Sequence, residues 1–300
     1  MPTPHTRWRA AKLGLLQPAS LAALLLCLTH AACAQEPAPA KSDRGFSYFL
    51  GLGRQDVRYE ESLNLAPVKS SARTSSPLIV TGALYAVNDD LLLSMNSEFT
   101  FYPGEATERW NYTGPSLAAA NLSSPLLQSN GYSLNQSSTQ LLGHYRVAGP
   151  WFAVAGTTLH SMSFKRYGFV SGPDNAVDTP PANTVVEETT GEVLLNLGLA
   201  LESERVQGSA EHFGVRALLG VPAWRRTQNT DVQNLRFTRA QGLDLAIEGR
   251  YSRAIYRGVH LGAWGKWLTS RRGRETLGGN ELPESKLDSL SYGLELLWKL

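Results

Sequence analysis

The most constraining feature of the chain is the strict alternation of its last twelve residues. One face of the strand that this alternation predicts is apolar and carries Leu290, Tyr292, Leu294, Leu296, Trp298 and Leu300. The other face is small or charged, apart from Leu297, and carries Ser289, Ser291, Gly293, Glu295 and Lys299. Residues 91–101, 191–202, 212–223 and 243–251 repeat the pattern. Such a strand lines the core of a soluble sandwich, or it crosses a bilayer with its apolar face toward lipid.

The N-terminus predicts export. A basic start, an apolar run from Leu21 to Leu28 and the small residues Ala32 and Ala34 are typical of a secretory signal peptide over residues 1–34. A lipoprotein signal through Cys33 is less favoured, because His30 stands where an aliphatic residue is expected. Residues 35–44 form a Pro/Ala-containing linker, and residues 45–300 form one domain.

Export and charge exclude several classes of protein. Cys27 and Cys33 both lie in the predicted signal, so the mature chain has no thiol, no disulfide and no cysteine metal site. Removal of the basic residues Arg7, Arg9 and Lys12 leaves nearly equal numbers of basic and acidic residues, which argues against a nucleic-acid partner. We expect no cofactor and no metal. The chain has no apolar run long enough for a spanning helix, so a membrane-embedded form must be a closed barrel.

The pattern predicts ten strands and no amphipathic helix. They cover residues 45–60, 76–87, 91–109, 136–147, 151–169, 186–204, 209–228, 239–253, 258–273 and 286–300. Strands 45–60, 76–87 and 151–169 are apolar on both faces in places, so the sequence does not assign their sides.

The connections between these strands alternate between short and long. The short ones are turns of Gly, Asn, Asp and Pro chemistry at Asn88–Asp90, Ala148–Pro150, Arg205–Gly208 and Ala254–Gly258. The long ones are polar segments near 61–75, 110–135, 170–185, 229–238 and 274–285. This alternation favours an all-β fold: a ten-stranded antiparallel transmembrane β-barrel with short periplasmic turns and long extracellular loops. A soluble sandwich has no reason to segregate its connections in this way.

The tail also resembles the closing strand of Gram-negative outer-membrane β-barrel proteins. Those proteins end on an alternating apolar run that the barrel-assembly machinery reads, and their last residue is usually aromatic. Here the aromatic residue is Trp298 and the last residue is Leu300. The resemblance implies location in the outer membrane, with its lipids, its lipopolysaccharide and the assembly machinery as partners. It identifies no subfamily and no activity, and the oligomeric state stays open.

The polar faces of the strands predict a charge network in the lumen. A barrel of this size fills its interior with side chains, so mixed charges on the inner face are expected to pair and plug it. The predicted network consists of Glu98, Arg216, Asp244, Glu248, Arg250, Lys266 and Glu295. Within it we expect an ion-pair ladder from Glu295 through Lys266 to Glu248 and Arg216.

A second set of charges lies near the predicted extracellular strand ends. These basic residues are Lys165, Arg166, Arg225, Arg226, Arg271 and Arg272. One interpretation is contact with the phosphates of lipopolysaccharide, and the other is ordinary solvated charge.

Three functions follow, and the first is favoured: a non-enzymatic surface adhesin, receptor or structural protein. The second is a narrow porin-like channel. The third is a barrel-embedded hydrolase or lipid-modifying enzyme, which needs a Ser/His/acid or acid/His cluster assembled across strands. Ten-stranded outer-membrane proteases use acidic pairs and an Asp–His pair near the extracellular rim. The only Asp-Asp pair here, Asp89-Asp90, falls in a predicted periplasmic turn, so no catalytic residue is assigned.

Overall fold

The computed structural model describes residues 45–63, 66–202, 210–232 and 235–300, so the predicted signal peptide and linker lie outside the described residues. The described chain is all-β, as predicted. Its strands are β1 (Phe46–Ser62), β2 (Val68–Ala86), β3 (Leu91–Thr100), β4 (Glu105–Tyr112), β5 (Leu126–Ala148), β6 (Trp151–Ser171), β7 (Val185–Glu202), β8 (Glu211–Asn229), β9 (Gly242–Tyr256), β10 (Val259–Arg272), β11 (Glu275–Leu277), β12 (Asn280–Leu282) and β13 (Glu284–Lys299). Two short 3-10 turns, Ala118–Ala120 and Thr230–Val232, are the only helical segments in these ranges. No helix among the described residues is long and apolar enough to cross a membrane.

Eleven of the strands form one antiparallel sheet. Consecutive strands from β5 to β10 pair with one another, β10 pairs with β13, and β1 pairs with both β13 and β2. Leu52 of β1 accordingly lies opposite Leu294 on one side and Ile79 on the other. β3 and β4 follow one another between the same two neighbours, β2 and β5. β11 and β12 form a separate hairpin in the connection between β10 and β13.

The sheet has one buried face and one exposed face, and side chains alternate between them. The exposed face carries apolar residues such as Leu197, which is 67% exposed, and Leu294, which is 62% exposed. The buried face carries charged residues such as Glu98, Arg166, Glu192 and Glu248, many polar residues and three apolar clusters. This arrangement inverts that of a soluble protein, in which the apolar face is the buried one.

The structure also assigns the strands whose sides the sequence left open. In β1, Leu50 and Leu52 are exposed while Phe49 is buried. Gly53 faces inward against the ring of Trp264, where an added Cβ would come within 2.7 Å of the indole. The glycine therefore permits the close approach of a large aromatic side chain, as expected of a glycine inside a strand.

The sheet extends further than the sequence indicated at one end. β2 begins at Val68 and β5 at Leu126, so much of the two segments predicted as long connections near 61–75 and 110–135 is strand.

The strands have two sets of ends. We call the set near Phe46 and Leu300 the terminal end of the sheet, and the opposite set the loop end. The loop end has long connections at 113–125, 172–184, 230–241 and 273–283, whereas 63–67 is short. The terminal end has tight turns at 87–90, 149–150 and 257–258. The turn predicted at Arg205–Gly208 lies outside the described residues.

Candidate functional site

A continuous apolar band crosses the exposed face of the sheet. On β7 it runs from Val193 through Leu195, Leu197 and Leu199 to Leu201, about 27 Å along the strand at the usual rise per residue. Exposed aromatic residues border it at the terminal end, among them Tyr48, Tyr85, Tyr145, Trp151 and Tyr256. Others border it toward the loop end, among them Phe101, Trp224, Trp267 and Tyr292. An apolar band with two aromatic girdles matches the hydrocarbon layer of a bilayer and its interfaces.

Beyond this band, toward the loop end, the exposed face becomes polar. On β1 the outward residues after Leu52 are Arg54, Asp56 and Arg58, and on β2 they include Lys69 and Arg73. Arg54 forms an ion pair with Asp56, and Glu60 forms ion pairs with both Arg58 and Lys69. The sheet therefore continues for several residues per strand into a region whose exposed face is polar, while its buried face still carries apolar residues such as Val57 and Tyr59.

The first group of buried charges lies toward the terminal end and joins β8, β9 and β13. Arg216 lies 2.7 Å from Glu248, and Arg250 lies 2.8 Å from the other oxygen of the same carboxylate. Arg250 also donates to Glu295 at 3.0 Å and stacks over the ring of Phe49 at 4.0 Å. Counting Asp244 and the pair of Glu98 with Lys266 described below, all seven members of the predicted network belong to ion pairs on the buried face.

The predicted ladder is wrong at Lys266. Lys266 Nζ lies 2.8 Å from Glu98 Oε2 on β3, and Glu295 pairs with Arg250 instead. The register explains the missing link to Glu295, because Gly262 and not Lys266 lies opposite that residue. Lys266 lies directly opposite Glu248, but both oxygens of that carboxylate pair with Arg216 and Arg250. The link between Arg216 and Glu248 is as predicted.

A second group of charges lies in the middle of the buried face. Glu192 on β7 accepts both Nε and Nη2 of Arg272, at 2.8 and 2.7 Å, and it lies 3.2 Å from Arg225. Arg272 also donates to Asp244. His160 lies 3.5 Å from Glu192. A cavity of about 80 Å³ opens beside this group and extends to Lys266 and Glu98.

A third group fills the buried face near the loop end. Arg166 donates to Glu108 at 2.7 and 3.0 Å and to Glu61 at 2.8 Å. Its guanidinium also lies over the rings of Phe164 and Trp110, at 4.4 and 5.1 Å. Alternation along residues 191–202 places Glu192 on the inward face, although the predicted network did not include it. Glu61 and Glu108 were not predicted as inward residues, because both lie near the loop end in strand segments with little apolar alternation.

Half of the predicted lipopolysaccharide contacts are therefore wrong. Arg166, Arg225 and Arg272 are buried and paired with carboxylates. Their chain neighbours Lys165, Arg226 and Arg271 point to the opposite face, because adjacent residues of a strand alternate. Lys165 and Arg271 are exposed, and Arg226 is half-buried.

One cross-strand cluster contains a serine, a histidine and an acid. Ser94 Oγ on β3 lies 2.8 Å from His144 Nε2 on β5, and His144 Nδ1 lies 3.5 Å from Glu202 on β7. The cluster borders a second cavity of about 60 Å³ toward the terminal end. Alternation places His144 on the inward face of its strand, but nothing in the sequence joins it to Ser94, since the two are fifty residues apart.

Two loops at the loop end are joined by a carboxylate. Asp174 accepts hydrogen bonds from the Ser123 N–H at 2.9 Å, the Ser123 hydroxyl at 2.6 Å and the Ser124 N–H at 3.2 Å. The Ser123 hydroxyl, with the backbone donors, holds the pKa of Asp174 below its usual value. The connections 113–125 and 172–184 are thus held together by a charged acceptor.

No protein-family model matches the chain, and no curated protein matches it. Among solved structures, the chain is similar to the outer membrane protease OmpT from Escherichia coli, with a TM-score of 0.60 and 10% identity over 88% of this chain and 99% of that one. It has weaker similarity to the translocator domain of the autotransporter NalP from Neisseria meningitidis, with a TM-score of 0.35 and 9% identity over 93% of this chain and 95% of that one. The outer membrane protein OprG from Pseudomonas aeruginosa gives a TM-score of 0.34 and 9% identity, over 86% and 96%. At these identities the comparison shows a fold, that of an outer-membrane β-barrel protein.

Proposed function

We propose that the chain is an integral outer-membrane β-barrel with a plugged interior, which presents its loop end outside the cell as an adhesin, a receptor or a structural component. The barrel is counted as ten-stranded, with β3 and β4 taken as one interrupted strand. The cyclic pairing of β1 with both β2 and β13 supports this count. The observation that carries the proposal is the inversion of the two faces, since charged pairs are buried while the apolar band is exposed.

The topology follows from the connections. The terminal end, with its tight turns, is assigned to the periplasm and the loop end to the exterior, as in other outer-membrane barrels. The exported precursor is cleaved after Ala34. The polar strand segments beyond the aromatic girdle then stand above the outer leaflet and carry the loops away from it.

Lipopolysaccharide remains the proposed lipid partner, through a revised set of side chains. Lys165, Arg226 and Arg271 are kept because they lie on the exposed face beyond the apolar band. Arg54 and Arg73 lie at a similar place on β1 and β2 and extend the basic surface around the barrel. Basic side chains next to an apolar band suit phosphate groups of lipids.

Proteolysis is not carried over from OmpT, because a likeness at this identity supports the fold and not the activity. Asp89-Asp90 lies in the 87–90 turn. There, the side-chain oxygen of Asn88 accepts hydrogen bonds from the backbone N–H groups of Asp90 and Leu91. The pair therefore belongs to a turn at the terminal end, which suits a structural role.

The test is to locate the protein and its loops in a Gram-negative host. The protein should remain with the outer membrane after carbonate extraction. Epitope tags inserted near Ser123 and near Asn175 should be labelled on intact cells, while a tag after Asp90 should be labelled only after permeabilisation. Recovery in the soluble periplasm, or equal labelling of all three tags, would contradict the proposal.

A further inference from the structure

Three strands bring a nucleophile, a base and an acid together near the terminal end. Ser94 on β3 contacts His144 on β5 at 2.8 Å, and His144 lies 3.5 Å from Glu202 on β7. All three residues are buried, with exposed fractions of 9% or less. The serine contacts one ring nitrogen and the carboxylate the other, so the imidazole lies between them.

The position of the carboxylate favours one tautomer of the imidazole. Because a carboxylate accepts hydrogen bonds and cannot donate, Glu202 favours the tautomer with its proton on Nδ1 of His144. The lone pair of Nε2 then faces the hydroxyl of Ser94. A serine within hydrogen-bond reach of a base that a third group orients is the arrangement of an activated nucleophile.

The cluster opens onto a small cavity that can accept a reacting group. The cavity has a volume of about 60 Å³ and is lined by Ser94, His144 and Glu202. Apolar side chains, among them Leu84 and Met95, line another part of it. Arg216 and Arg250, which pair with Glu248 and Glu295, also line the cavity, so N–H donors for a negative oxygen border the same space. This combination suits a short acyl group whose carbonyl oxygen becomes negative during reaction.

We propose that Ser94, His144 and Glu202 form an esterase site for short acyl esters, a function beyond the structural role of the barrel. Ser94 Oγ bonds to the acyl carbon, and its proton passes to Nε2 of His144. The ester C–O bond breaks, and the leaving alkoxide takes that proton and departs as an alcohol. Water then attacks the acyl-serine, giving its proton to His144, and the acid departs as Ser94 recovers the proton.

The experiment uses the full-length protein folded in detergent and a small alkyl fluorophosphonate, which reacts with activated serines and releases fluoride. Intact-mass analysis should show one adduct, and peptide mapping should place it on Ser94. The same preparation should hydrolyse p-nitrophenyl acetate. Ser94→Ala should abolish both signals, and His144→Gln should slow labelling by about 100-fold, the usual contribution of a general base.

Two further variants separate reactivity from packing. Glu202→Gln keeps the size of the side chain but lets it donate to Nδ1, and it should slow labelling by at least about tenfold because the wrong tautomer is favoured. Ser291→Ala removes another buried hydroxyl, on β13, and should leave labelling unchanged. A variant is compared with the wild type only if it is folded, which is checked by the shift in gel migration between the unheated and the heated sample.

Folded wild-type protein that gives no adduct and no hydrolysis overturns the proposal. An adduct that persists in Ser94→Ala, or labelling unaffected by His144→Gln, overturns it as well, since a hydrogen bond with only a structural role confers no reactivity. These outcomes do not depend on cell fractionation, so a failed esterase site is distinguishable from a failed outer-membrane assignment.

Discussion

At the scale of single residues, Lys165 and Arg166 provide a direct test of the two faces. Among the described residues, Arg166 is the only cation that forms ion pairs with the buried carboxylates of Glu61 and Glu108. Arg166→Ala leaves both carboxylates without that partner, so we expect a loss of about 3–5 kcal/mol in the free energy of unfolding. Urea titration of the barrel refolded in lipid vesicles measures it.

The matched control is the preceding residue. Lys165 is half-exposed and lies 3.8 Å from an equally accessible Glu187, so Lys165→Ala should change the free energy of unfolding by no more than about 0.5 kcal/mol. Equal losses in the two variants would show that the two side chains do not occupy opposite faces.

A second prediction concerns the partner of Lys266. Because its ammonium group lies 2.8–2.9 Å from both oxygens of Glu98, Lys266→Ala and Glu98→Ala should be strongly non-additive, with a coupling of about 1–3 kcal/mol. The control cycle combines Lys266→Ala with Glu295→Ala, whose recorded ion pair is with Arg250. Thermal unfolding in detergent of the singles and doubles gives both couplings. A larger coupling with Glu295 would restore the ladder expected from the sequence.

These residues show how far sequence reasoning reaches at this scale. The alternation of side chains along each strand was enough to place Glu98, Arg216, Glu248, Arg250 and Glu295 on the buried face. The partners were harder to predict, because a shift of two residues in the β9–β10 register keeps every side chain on its face and changes which ones meet. The basic residues near the strand ends were chosen by position along the chain, so members of both faces were mixed.

At the scale of elements, the sequence located the strands inside the apolar band and missed those beyond it. The first eight residues of β2, Val68–Ser75, are mostly small or polar on both faces, because water lies outside and the small inward residues such as Ala72 pack against large side chains of other strands, among them Tyr59 and Phe164. Hydrophobic periodicity vanishes in such a strand, and the segment resembles a loop. The same reason applies to β4 and to the start of β5.

The link between the two loops predicts a response to acid. The depressed pKa of Asp174 means that its hydrogen bonds to Ser123 and Ser124 persist above the usual Asp pKa of about 4 and are lost as the pH falls through the lower value in the folded protein. Amide hydrogen exchange of 113–125 should therefore show a constant protection factor from neutral to mildly acidic pH and a drop only below it. Asp174→Asn should reduce protection at neutral pH, whereas Asp178→Asn, in the same loop, should not. Protection that is unchanged in Asp174→Asn would exclude the carboxylate as the link.

At the scale of the whole molecule, the three groups of buried charges determine whether the barrel conducts. From the terminal end, the first group contains Glu248 on β9, the second contains Asp244 on β9 and Glu192 on β7, and the third surrounds Arg166 on β6. The side chains of Glu248, Glu192 and Glu108 are each exposed by 7% or less, which a water-filled pore would not permit. A barrel of about ten strands has an interior that such side chains fill.

We therefore expect the wild-type barrel to show no steady conductance in planar bilayers. The double variant Lys266→Ser, Glu98→Ser enlarges the central cavity of about 80 Å³ but leaves the groups around Glu248 and Arg166 in place, so it should conduct as poorly as the wild type. Ions would have to pass all three groups of buried charges, so removing one group does not open the interior. In a channel with a single constriction, by contrast, removing that constriction would raise the conductance. High conductance of the wild type, or a large rise in the double variant, would contradict the packed interior and favour the channel.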